Sequence, residues 1–182
     1  KIQGLKDEAF DQIYKAVWND AWQQAGYVNL AGIACEEGDI EEALDFIDKS
    51  LLRNYHSHSA RLIKAVVLRK LGKPAEAKEL LRESLEIDPF NYGCLYEQYL
   101  WYKTDKEEEQ AASTLSCLLT RSRNWVHNFI EYAFDYAHAG LYQEAMDLLQ
   151  VHIDQASGQY PMVYYYMGWL ADKKAETVLA GQ

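Results

Sequence analysis

His56 and His58, separated by one residue, form the only arrangement in this sequence whose spacing suggests a metal. Two ligands fall short of the three or four that a zinc site needs. The neighbouring Tyr55, Ser57 and Ser59 have the composition of an ordinary turn. His127 and His138 stand eleven residues apart and share one helix face, because eleven steps of 100° return to within about 20°. They are still about 16 Å apart along the axis, too far to act on a single atom. The acidic run Asp105, Glu107, Glu108 and Glu109, interrupted by Lys106, resembles a cation site. Its place at the start of a helix explains it without a ligand, since acids in a first turn are favoured by the helix dipole. Asp39 and Glu42 repeat this as a capping pair. No phosphate-cradling glycine loop, nucleophile elbow or paired zinc-ligand motif occurs. The chain therefore reads as non-catalytic, with no metal and no cofactor.

The formal charge of −10, from 18 basic and 28 acidic residues, repels phosphate backbones and argues against nucleic acid as a partner. No apolar run approaches the ~20 residues of a membrane span, so a membrane is not expected as a partner either. Cys35, Cys94 and Cys117 lie in helical segments without framework spacing, and their odd number leaves at least one unpaired within the chain. Free thiols favour a reducing compartment and hence the cytoplasm.

The elements that position these residues announce themselves by period. Ala9, Ala43, Ala77, Ala111 and Ala145 stand 34 residues apart, and Gly4, Gly38, Gly72 and Gly140 keep the same phase. A constant phase over five cycles requires one supersecondary unit stacked repeatedly, because a single slipped residue would misplace every later helix. Full units are expected at 24–57, 58–91, 92–125 and 126–159. The second helix of a truncated unit precedes them within 1–23, and a partial unit follows over 160–182. In the second unit Ala60, Leu62, Ile63, Ala65, Val66, Leu68 and Leu71 form a helical apolar pattern, stopped by Gly72. Pro74 then opens a helix at a position where its missing N–H costs nothing, and Asp88 with Pro89 ends it. The unit is a helical hairpin. The fold class is an all-α, right-handed superhelical array of such hairpins, in which each unit touches only its neighbours.

This pattern resembles the tetratricopeptide repeat. The resemblance is carried by Leu30, Ala31, Gly38, Ala43, Ile47 and Leu51 in the first full unit. Ala65, Leu68, Gly72, Ala77, Leu81, Leu85 and Pro89 carry it in the second, and Tyr132, Ala133, Tyr136, Gly140, Ala145, Leu149 and Ile153 in the fourth. The third unit departs most, with Lys106 in place of glycine and Tyr99 in place of a small residue. Arg61 and Lys64 occupy positions where the family usually has large apolar residues.

The resemblance implies that first helices line a concave face. That face would carry Val28 and Gly32, then Leu62, Val66 and Arg69, then Tyr96, Leu100 and Lys103, then Ile130 and Phe134, and finally Tyr164. It reads as apolar and aromatic, with spacings of four and three that keep each set on one stripe. Val28 and Gly32 stand where the family's carboxylate clamp needs hydrogen-bonding side chains, which argues against a chaperone-tail adaptor. Arg61, Lys64, Arg69, Lys70 and Lys103 concentrate positive charge, expected as a solvated edge in preference to an acidic-ligand site. The leading reading is a non-catalytic scaffold holding an apolar protein segment, or a flanking domain of the same chain, in its concave groove. An alternative is the helical support domain of a larger bacterial multidomain enzyme, carbohydrate-related, with catalysis in another domain. Self-association through the terminal helices is a third.

Overall fold

The computed structural model describes residues 2–155, 158 and 160–180. The unit boundary expected at 159, and both ends of the chain, lie outside them. Ten helices follow one another: α1 (Ile2–Ala16), α2 (Gln23–Glu37), α3 (Ile40–Arg53), α4 (His58–Lys70), α5 (Pro74–Ile87), α6 (Tyr92–Thr104), α7 (Glu108–Ser122), α8 (Val126–His138), α9 (Tyr142–Gln155) and α10 (Pro161–Ala180). A 3-10 turn at Asp20–Trp22 joins the first two, and no strand occurs among the described residues. The fold is an all-α superhelix of helical hairpins.

Local chemistry sets the breaks. Gly38, Gly72 and Gly140 adopt φ of 84°, 65° and 68°, the left-handed conformation that ends a helix and that glycine enters without a Cβ clash. Lys106 takes the equivalent place with φ 60°, so the third unit makes the same turn without glycine. The side chains of Asp39, Ser57 and Asn91 accept hydrogen bonds from the backbone N–H groups of Glu42, Ala60 and Cys94, capping α3, α4 and α6. Pro74 opens α5 at its first turn. The phased Ala43, Ala77, Ala111 and Ala145 are all buried, which lets paired helices approach to about 8–10 Å.

The stack departs from a nearest-neighbour array in one respect. The fourth unit folds back onto the first two, so that α8 packs on α4 and the α8–α9 turn seats on α2. A Cβ at Gly32 of α2 would lie 2.6 Å from the carbonyl oxygen of His138. Nearby, the Tyr142 hydroxyl donates to Glu36 at 2.9 Å. Gly93 provides a second close approach, where a Cβ would come within 2.7 Å of Leu62 and 2.8 Å of Tyr132. The expectation that each unit touches only its neighbours is corrected here. The apolar stripes of the first helices are greasy enough to pack on one another, with Gly32 against the backbone of the α8–α9 turn and Gly93 against the side chains of Leu62 and Tyr132.

Candidate functional site

Closure decides what the expected concave face can do. Leu62 and Val66 are fully buried, Tyr96 retains 2% of its surface and Ile130 8%. Leu62, Val66 and Ile130 are core residues in this conformation, which corrects their placement on an open surface, whereas the largely buried Tyr96 still reaches a cleft. An aromatic stripe at helical spacing serves equally as groove or core, and contacts between distant units selected core. Val28 is half-buried on α2. Phe134 is covered by α10, with Tyr166 at 4.8 Å and Trp169 at 6.1 Å between ring centroids. Tyr164 is 49% exposed on the outer side of α10.

The structure does bring Arg69, Tyr96, Leu100 and Lys103 together. With Thr104, Gln143, Glu144 and Asp147 they line a cleft of about 460 Å³ between the C-terminal ends of α4 and α6 and the first turns of α9. The spacing of four and then three on α6 places Tyr96, Leu100 and Lys103 on one face. Arg69 reaches the same place from α4. The contribution of α9 was not foreseeable from the repeat pattern, because second helices belong to the convex side of a regular array. Only the folding back of the fourth unit brings Gln143, Glu144 and Asp147 round to it.

Beneath the cleft lies a charged knot that spans three units. Glu97 is fully buried. The Arg69 guanidinium donates to it from Nε at 2.9 Å and from Nη2 at 3.3 Å, and the Tyr136 hydroxyl donates at 2.7 Å. Glu144 adds a contact to Arg69 at 3.7 Å and pairs with Lys70 at 2.9 Å. Burial alone would lower the Arg69 pKa, but the charge of Glu97 and its hydrogen bond more than offset this and hold it above its usual range. Burial, and then the charge of Glu97, pushes the Tyr136 phenol far up.

Of the positive cluster expected as a solvated edge, Arg61 and Arg69 are engaged internally, while Lys103 stays exposed. Arg61 is 2% exposed; its guanidinium donates to the Tyr55 carbonyl at 2.8 Å and to the Ser84 hydroxyl at 3.0 Å. It also stacks 4.2 Å from the Tyr55 ring. An arginine thus fills a position where the repeat usually has a large apolar side chain, with its donors satisfied. Lys64 pairs with Asp48 at 2.6 Å and Lys103 with Glu108 at 3.4 Å.

No three His, Cys, Asp or Glu side chains converge as metal ligands among the described residues. His58 instead contacts Asp88 at 3.1 Å. No described helix is long and apolar enough to cross a membrane.

Helical hairpins in 34-residue phase, mostly glycine-ended first helices and buried alanines on the second give the chain a tetratricopeptide-type fold. Residues 58–91 match the tetratricopeptide repeat family model. Among solved structures, MamA is similar with a TM-score of 0.58 at 16% identity, over 84% of each chain. A tetratricopeptide repeat protein from Parabacteroides merdae has a TM-score of 0.58 at 18% identity, covering 96% of this chain and 69% of that one. YrrB, described as a TPR protein with an unusual peptide-binding site, has a TM-score of 0.54 at 18% identity, over 90% and 83%. These likenesses concern the fold. No curated protein matches the chain in sequence. The tetratricopeptide fold serves in general as a scaffold for protein partners, typically without catalysis.

Proposed function

We propose that the chain is a non-catalytic scaffold that receives a protein segment in the cleft between α4, α6 and α9. The observation that carries this reading is the convergence of Arg69, Tyr96, Leu100 and Lys103 with Gln143, Glu144 and Asp147 on one cleft of about 460 Å³. Its floor is apolar, from Tyr96 and Leu100. Its rim carries both signs of charge, so the chemistry suits an apolar side chain flanked by polar groups. Such a segment would belong to another protein or to a flanking part of the same polypeptide. A preformed wall keeps the ordering cost of binding low.

The test is selection of binding peptides from a random library on the intact chain, followed by mapping of amide shifts. Selected peptides should perturb Leu100, Lys103, Thr104 and Gln143, and Leu100→Asp should weaken them by about tenfold or more. Peptides that bind Leu100→Asp normally, or that map to another face, would overturn the assignment.

A further inference from the structure

The two edges of this superhelix differ in chemistry, and the cleft lies toward the edge of the within-hairpin turns. Turns that lead from one hairpin to the next all fall on one edge, because the helices alternate in direction. Contacts between successive turns confirm the continuity of that edge: Arg53 reaches Asp20 at 3.9 Å, His58 reaches Asp88 at 3.1 Å, Arg121 donates to the Pro89 carbonyl at 2.8 Å, and Tyr160 meets His127 at 3.4 Å. Every one of these turns carries large exposed apolar side chains. Trp22 is 62% exposed, Tyr55 49%, Phe90 58% and Trp125 61%. The turns within hairpins, at 37–39, 71–73, 105–107 and 139–141, carry none; beside Gly38, Gly72, Lys106 or Gly140 they hold charged residues, the half-buried Leu71 and the buried Ala139 and Leu141.

Charge follows the same division. On the aromatic edge the acids are engaged, Asp20 with Arg53 and Asp88 with His58. Arg121 and Arg123 beside it have no carboxylate partner among the described residues. On the opposite edge Glu37, Glu41, Glu42, Glu107 and Glu109 make no ion pair among the described residues. In a chain of net charge −10, Arg121 and Arg123 thus stand beside exposed aromatic side chains, while Lys106, in the turn between α6 and α7 on the opposite edge, stands among acids.

We infer that this aromatic edge docks on an anionic lipid surface. Tryptophan and tyrosine settle at the boundary between headgroups and acyl chains, where one end of the ring is apolar and the other wet. The exposed rings recur turn after turn in small groups, such as Trp125 with His127 and Tyr160, or Phe90 with Tyr92, separated by polar residues such as Asn54 and Asn124. That arrangement suits insertion of side chains among headgroups. It lacks the contiguous apolar centre of a protein interface. Arg121 and Arg123 supply attraction to anionic headgroups, while the acidic edge faces away. The association is peripheral, through turns, and uses no spanning helix.

The experiment is co-sedimentation of the intact chain with phosphatidylcholine vesicles and with the same vesicles doped with phosphatidylserine, read together with tryptophan emission. Binding is expected on the doped vesicles with a blue shift. Replacing Trp22, Phe90 and Trp125 together by serine should lower it by about tenfold or more without changing the helical spectrum, since all three are exposed. Arg121→Glu with Arg123→Glu should remove the preference for phosphatidylserine, by about tenfold. Absence of binding, equal binding to both vesicles, or binding unchanged in the serine variant would overturn the inference. So would self-association without vesicles that the serine variant abolishes, which would make the edge a protein interface.

Discussion

Glu97 is the residue on which the closed form turns, because one buried carboxylate accepts from Arg69 of the second unit and Tyr136 of the fourth. Removing one partner of a buried pair leaves the other uncompensated, so Glu97→Ala should cost about 3 kcal/mol, the low end of the range because Arg69 is partly exposed and retains Glu144. Urea melts of Glu97→Ala beside Glu97→Gln, which keeps the shape and an acceptor for Tyr136, will measure this; equal stability of Glu97→Ala and the parent would remove the knot from the account. The thiols give a pH signature. Burial pushes Cys94 up to about 12 and Cys35 up to about 11, from an ordinary 9.0. The folded state therefore holds these protons more tightly than the unfolded state. Their contribution is complete below pH 9.0 and is lost as pH rises toward 12. Tyr96 and Tyr136, both raised chiefly by burial, act in the same direction. The thermal midpoint should be insensitive to these groups below pH 9.0 and should fall above it, with a shallower fall when Cys35 and Cys94 are replaced by alanine.

At the scale of elements, the 34-residue phase made the hairpins and their turns legible, because alanine and glycine are used there for reasons of close approach and backbone conformation. Lys106 shows how strongly the stack imposes its geometry. It holds a left-handed φ of 60° at a position where an L side chain costs about 1–2 kcal/mol. Lys106→Gly should therefore stabilise the chain by about 0.5 to 1 kcal/mol, the gain reduced by the added freedom of glycine in the unfolded state; calorimetry can check the sign. Gly32 was the opposite case. In the sequence it stood only as a residue of the first helix that could not serve a carboxylate clamp. Its real constraint comes from the α8–α9 turn, 106 residues away at the Glu36–Tyr142 bond, and no local pattern encodes such a contact. Gly32→Ala should force its new methyl against the His138 carbonyl and cost about 1–3 kcal/mol, measured as a fall in denaturant midpoint.

The whole molecule is an array that has closed part of its own concave face. Four expected groove residues came together in the cleft because helical spacing on α6 was readable. Leu62, Val66 and Ile130 became core because the return of the fourth unit was not. The same return carried α9 into the cleft. Thiol accessibility at Val66 tests closure most directly. In a chain with Cys35, Cys94 and Cys117 replaced by alanine, Val66→Cys should react with a thiol reagent only as fast as the protein unfolds, while Leu100→Cys at the cleft should react at once. Rapid labelling of Val66→Cys in the native state, at a rate comparable to Leu100→Cys, would show an open groove and contradict the account.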